Sequence, residues 1–224
     1  MHILFDNAIK TAAPNLRVLY LEADIINPAT DDALWGEIEA ECESIRSHYA
    51  MDMVRHRTAI DATRNAYKAL GKEPNRYRPS AEALCRRAVK GLDLYRTLTI
   101  IDLVNLVSLR TGISIGGFDR DKIVGDTLTL GVGREGEPYE AIGRGQLNIA
   151  GLPVFRDAVG GIGTPTSDNE RTKLSPATRR IAFTVNMYGE GEHSIEEVED
   201  MIRGLLEKYA EGKSISTSIW RTNE

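Results

Sequence analysis

Glycine spacing divides this chain into two textures, and that division constrains its fold more than any other feature. Before Arg110, apolar residues recur at helical intervals; from Gly112 onward, glycines punctuate short β-like runs. Leu34, Ile38, Cys42, Ile45 and Tyr49 mark a helix over Asp32 to Tyr49. Ile60, Thr63, Tyr67 and Leu70 mark another over Met53 to Leu70, which Gly71 stops and Pro74 keeps from restarting. Ser80 suits the N-cap of a short helix running to Lys90. Thr99 to Arg110 is apolar almost all round and should be buried, with Thr99 and Asp102 in a capping-box arrangement. One strand precedes these helices, Leu16 to Ala23.

The later half predicts strands at Thr127–Val132, Pro138–Ile142, Val154–Val159 and Arg180–Met187. Between them, Gly160 to Pro176 is too polar and too rich in Gly and Pro for a regular element. A loop that long is uncommon unless it has a task. Ser194 and Glu197 form a capping box ahead of a helix with Ile195, Val198, Ile202, Leu205 and Tyr209 inward. Ile215 to Trp220 alternates and returns to the sheet. With no repeat and no linker, the chain reads as one α+β domain, helices mainly N-terminal plus one C-terminal helix. The core expected is a β-sheet or barrel-like unit with helices packed outside, a layered ββα arrangement.

Charge excludes some classes. The chain of 224 residues carries a net charge of −5, and that average argues against a dedicated nucleic-acid binder. The distribution is uneven. Arg55 to Ile100 holds eleven basic and four acidic side chains, which is +7 locally and leaves −12 for the rest. Such a polarised chain either presents a positive face to a polyanion or carries ordinary solvated helix faces. No apolar run is long enough to span a membrane, and the first residues do not read as a secretory signal. Cys42 and Cys85 are expected as two free thiols in a reducing compartment, the cytoplasm. The four histidines are scattered, so no metal site and no cofactor are expected.

Three features bear on chemistry. Asp102 and Asn105 share a face of a buried helix, where polar groups either bond to neighbouring backbone or line a pocket. Gly160-Gly161 allows a close backbone approach to a ligand, or serves a turn. Glu170, beside Arg171, is either an ion-pair partner or a carboxylate that reads a hydroxyl or positions a water.

The stretch IIDLVNLVSLRTGISIGGFDRDKI resembles the editing module of the phenylalanyl-tRNA synthetase β subunit. That family has a V-V-D-x-T-N helix leading to a P-M-H-A-F-D turn. Asp102, Asn105 and Phe118-Asp119-Arg120-Asp121 stand in the matching places, and Gly160-Gly161-Ile162 resembles the family's G-G-I turn. Counting back from Thr178 sets Glu170 on the family's editing-site glutamate. The resemblance covers Pro79 to Tyr188. Three positions depart from the pattern: the family's histidine falls on Gly116, its threonine on Val104 and its proline on Ser114.

The resemblance implies a freestanding editing-type relative over 1–224, with 1–75 as N-terminal strand and helices and 76–224 as core. It implies hydrolysis of mischarged aminoacyl-tRNA in trans, with the aminoacylated 3′ end of tRNA as partner. Glu170 and Asn105 would be the catalytic residues. Gly116, Gly160, Gly161 and Arg96 would hold substrate, and Arg64, Arg86 and Arg87 would hold RNA phosphates. A noncatalytic RNA-binding module and an amino-acid-binding protein without RNA are the alternatives. The oligomeric state is left open.

Overall fold

The computed structural model describes residues 1–223. In chain order, the elements are β1 (His2–Phe5), α1 (Asn7–Ala12), β2 (Arg17–Asp24), α2 (Asp32–His48), α3 (Thr58–Ala69), α4 (Ser80–Val89), α5 (Thr99–Thr111), β3 (Ile115–Asp119), β4 (Thr127–Val132), β5 (Glu140–Ala141), β6 (Gly145–Gln146), β7 (Pro153–Arg156), β8 (Gly161–Gly163), β9 (Arg180–Met187), α6 (Ile195–Tyr209) and β10 (Lys213–Arg221). Short 3₁₀ turns lie at Val54–His56, Arg120–Lys122 and Glu170–Thr172.

The strands form two four-stranded sheets, ordered β10-β2-β9-β3 and β1-β4-β7-β8, and the hairpin β5-β6. The first sheet is antiparallel throughout; in the second, β1 runs parallel to β4. Both sheets stay open, so the barrel-like closure expected from the short strands does not occur. The layered ββα arrangement does, and side-chain alternation explains it. Leu19 and Leu21 of β2, and Phe183 and Val185 of β9, point to one side and pack on α2, α4, α5 and α6. Val18, Tyr20 and Ala182 point to the other side and meet Leu128, Leu130 and Phe155 of the second sheet. Both faces of β2 and β9 are buried, which is why these strands read as nearly continuous apolar runs. A third cluster under the β5-β6 hairpin joins Tyr67, Tyr139, Ile149 and Val154.

Local signals set most of the ends. The Ser194–Glu197 capping box forms in both directions, at 2.7 and 3.1 Å. Gly112 takes φ +72° after α5, a left-handed conformation that favours glycine. The buried guanidinium of Arg57 donates to the last carbonyls of α5, Leu109 O at 2.6 Å and Arg110 O at 2.8 Å. Cys42 and Cys85 are free thiols.

Several expectations are corrected. The single helix at Met53–Leu70 is a 3₁₀ turn followed by α3. Pro79, not Ser80, holds the N-cap of α4, and Ser80 N–H donates to Pro165 O instead. Thr99 and Asp102 form no capping box. Thr99 donates to Pro28 O, while Asp102 accepts from Thr30 Oγ1, Thr97 N–H and Thr97 Oγ1. Three hydrogen bonds make a buried carboxylate tolerable in an apolar helix. The strand expected at Pro138–Ile142 shrinks to Glu140–Ala141, and that at Val154–Val159 ends at Arg156. The glycine-rich loop is more ordered than its composition implies: it holds β8, a bridge of Gly163 with Asp168, another of Asn169 with Ala141, and a 3₁₀ turn.

Candidate functional site

The long loop is laid along the open edge of β3. That edge is bare backbone, because residues 116 and 117 are both glycine. A methyl group at Gly116 would lie 2.6 Å from Thr184 Oγ1 and 2.7 Å from the Phe118 ring. One at Gly163 would lie 2.6 Å from the same ring and 2.9 Å from Asp168 Oδ1. β3 and β8 therefore approach each other across Phe118 with no room for side chains. Gly117 N–H donates across the gap to Asp168 Oδ2 at 3.0 Å.

Asp168 is the chemically distinctive group here. It keeps partial solvent contact at the loop edge. The protein packed around its carboxyl pushes its pKa up to about 7, against a smaller lowering from the Gly117 N–H. A carboxyl that exchanges its proton near neutrality can act as a general acid or base. Two buried tyrosines stand near it. Tyr139 OH donates to Ser167 O at 2.8 Å, and the Tyr67 OH lies 3.0 Å from Thr166 Oγ1. Burial raises the pKa of both phenols, so they remain neutral donors.

A row of unsatisfied polar atoms lies behind Gly116. Thr184 Oγ1, Asn186 Oδ1 and Tyr188 OH are buried without hydrogen-bond partners among the described residues. Thr184 and Asn186 on β9, and Tyr188 just past its end, alternate and so share the side toward the second sheet. Buried polar groups are normally paired, so this row is a local departure from the rule in an otherwise closely packed region.

The residues expected from sequence are distributed around this edge and beyond it. Gly160 lies in the β7–β8 turn, where its N–H donates to Asp157 at 3.1 Å. Gly161 is packed against the Tyr139 ring, 2.9 Å from where a methyl would sit. Arg171 binds Asp157 through both terminal nitrogens, at 3.0 and 2.7 Å, fixing the loop to that turn. Burial opposes the charge on Asp157, but Arg171 and three backbone N–H groups outweigh it and hold its pKa low. Glu170 stands at the surface two residues after Asp168, ion-paired to Lys173 and 3.3 Å from Gly143 N–H. Asn105 is half-buried on α5, and no hydrogen bond connects it with Glu170 or Gly160-Gly161 among the described residues. Arg96 is held at the start of α2, by Thr30 O at 2.7 Å and Asp32 at 2.8 Å. Gly116 and the loop therefore come together, while Arg96 is anchored to a different element.

The basic segment is only partly a surface. Arg64 is buried, donating to Glu82 and Asn75, each at 2.8 Å. Glu82, fully buried, also holds Arg86 at 2.8 Å. Arg87 lies over the ring of Tyr95, 4.6 Å from its centroid, and that ring is 74% exposed. Lys68, Arg76, Arg78 and Lys90 face solvent.

Asp168 and Thr184 escaped sequence reading. Asp168 sits in a Ser-Asp-Asn run that reads as turn chemistry, and its partner Gly117 lies 51 residues away. The one available signal was the adjacent Gly116-Gly117 pair beside a β-branched run.

Residues 62–194, more than half of the chain, match the B3/4 domain family, and the chain belongs to that family. The motifs noted between Pro79 and Tyr188 lie inside the matched stretch. Among solved structures, an N-terminal fragment of the phenylalanyl-tRNA synthetase β-subunit from Pyrococcus horikoshii is similar, with 12% identity and a TM-score of 0.49. The match covers 96% of this chain and 50% of that one, so the chain spans about half the length of that fragment. No curated protein matches. Among the described residues, no helix is long and apolar enough to cross a membrane.

Proposed function

We propose that this chain binds the aminoacylated 3′ end of tRNA and hydrolyses the ester in trans. The carrying observation is the junction of the bare β3 edge with the 160–176 loop, where Asp168, with a pKa near 7, accepts from Gly117 N–H. An aminoacyl ester is already activated. Its cleavage needs a positioned water, a donor for the developing oxyanion and a pocket for the side chain. Asp168 has one carboxyl oxygen left to orient water. The oxyanion donor would be Gly117 N–H, exchanging its bond to Asp168 for the substrate oxygen. Glu170 contributes a carboxylate at the mouth, and Asn105 and Arg96 would act only after a local rearrangement on tRNA binding. Gly116 lacks the side chain that the synthetase module carries there, so that module's amino-acid preference does not transfer.

RNA would lie along the exposed cations. Arg87 over the open face of Tyr95 offers a guanidinium for phosphate and a ring for a base. Arg64, enclosed by Glu82 and Asn75, would instead hold that surface in shape.

The test is a panel of aminoacylated tRNAs incubated with wild type, Asp168→Asn and Glu170→Ala. Wild type should cleave at least one ester, with Asp168→Asn slower by about 10²-fold or more. If wild type cleaves none faster than the variants, the catalytic reading fails. The filled slot between Gly116 and Gly163 favours a second reading, a tRNA-binding module without hydrolysis. Binding in gel shifts with no ester loss would select it.

A further inference from the structure

β10 lies at the margin of the antiparallel sheet and, among the described residues, pairs only with β2. The register fixes which of its backbone groups face outward. Thr222 N–H donates to Leu16 O at 3.2 Å. Successive residues of a strand direct their N–H and C=O to alternate sides. Ser216, Ser218 and Trp220 therefore bond toward β2, while Ile215, Thr217 and Ile219 turn their backbone groups outward. From Ile215 to Ile219, the one protein partner for these groups among the described residues is Arg203 Nη1, 3.5 Å from Ile215 O.

Beyond the bulge at its start and the long Arg203 contact to Ile215 O, the stretch between Ser214 and Trp220 carries little protection for an exposed strand. There is no proline, and no charge between Ser214 and Trp220. It is also self-complementary. Outward from Thr217, Ser216 mirrors Ser218 and Ile215 mirrors Ile219. Antiparallel pairing of two copies about a dyad at Thr217 sets Thr217 against Thr217 and Ile215 against Ile219. At each of these rungs an outward-facing residue meets another, which is the condition for ladder hydrogen bonds. A bulge between Lys213 and Ser216 ends the regular margin before the basic ends would oppose one another.

The side chains support the same partner. Ile215 and Ile219 pack on the helix-side core, so pairing would extend that core across the dyad. Thr217 Oγ1 donates to Glu199 at 2.8 Å and accepts from Arg203 at 3.0 Å. Glu199 and Arg203 also pair with each other at 2.9 Å, so opposite charges beside Thr217 are balanced within each copy and set no like-charge barrier at the dyad.

We propose that β10 pairs with β10 of a second copy of this chain, joining two four-stranded sheets into one of eight strands. Light scattering across a concentration series tests the mass, and hydrogen exchange tests the place. Wild type should reach dimer mass at high concentration, and the Thr217 and Ile219 amides should exchange several-fold more slowly there than in dilute solution. Thr217→Pro removes an outward N–H and leaves the β2 ladder intact, so it should give a folded monomer with the wild-type circular dichroism spectrum. A wild type that stays monomeric overturns the proposal. So does a dimer whose Thr217 and Ile219 amides exchange independently of concentration, a result that needs no variant to fold. A folded Thr217→Pro that still dimerises overturns it as well.

Discussion

Gly116 shows what a missing side chain does in this molecule. With Thr184 Oγ1 and the Phe118 ring both inside methyl-contact distance, Gly116→Ala must shift a strand or a buried ring. It should cost about 1–3 kcal/mol in denaturant unfolding. Asp168 carries a pH dependence with a definite sign. Its folded pKa of about 7 lies above the ordinary 3.8, so the folded state binds this proton more tightly than the unfolded state. The resulting stabilisation is complete below the unfolded value, declines as pH rises, and is gone above the folded value. Between about pH 5 and pH 7, wild type should lose stability relative to Asp168→Asn, by up to roughly 1.4 kcal/mol per pH unit. Parallel slopes for the two proteins would show that the carboxyl is not enclosed as described.

Among the elements, α6 is the one most completely specified by its own sequence. Ser194→Ala removes the hydroxyl half of its capping box and should cost about 1 kcal/mol, read as a lower melting temperature. The α3–α4 contact depends instead on charges that only the fold brings together. Arg64 and Glu82 are both buried, 2.8 Å apart. Arg64→Met leaves Glu82 with weaker compensation and should destabilise by about 3 kcal/mol. That destabilisation, measured by chemical denaturation, would separate a structural arginine from a phosphate ligand. β3 has no local strand signal, because two adjacent glycines supply no side chains to alternate. It is a strand because Gly116 pairs with Thr184 and Gly117 with Phe183 on β9.

For the whole molecule, the uneven charge is the property that bears on a polyanionic partner. Lys68→Glu, Arg76→Glu and Arg87→Glu together should weaken tRNA binding across all sequences. They should also flatten the plot of log affinity against log salt by roughly 0.7 for each single-stranded phosphate that the protein no longer neutralises. Unchanged gel shifts over a salt series would move the RNA surface elsewhere. The candidate site belongs to this scale too, since β3, β8 and the 160–176 loop are brought together by the sandwich and not by any one element.

The sequence alone determined what depends on neighbours within a few residues. Hydrophobic periodicity set α2, α6, β2, β4 and β9 nearly to their ends, a capping box started α6, and glycines closed α3 and α5. It also contained the motif that places the chain in its family. The tertiary structure decided whatever depends on distant groups sharing a buried volume. Burial by packed neighbours raises the Asp168 pKa. Glu82 and Asn75 take Arg64 out of solvent, and β9 turns a Gly-Gly pair into a strand. Desolvation and steric exclusion are properties of an enclosed space, and local sequence order does not state which residues will enclose it.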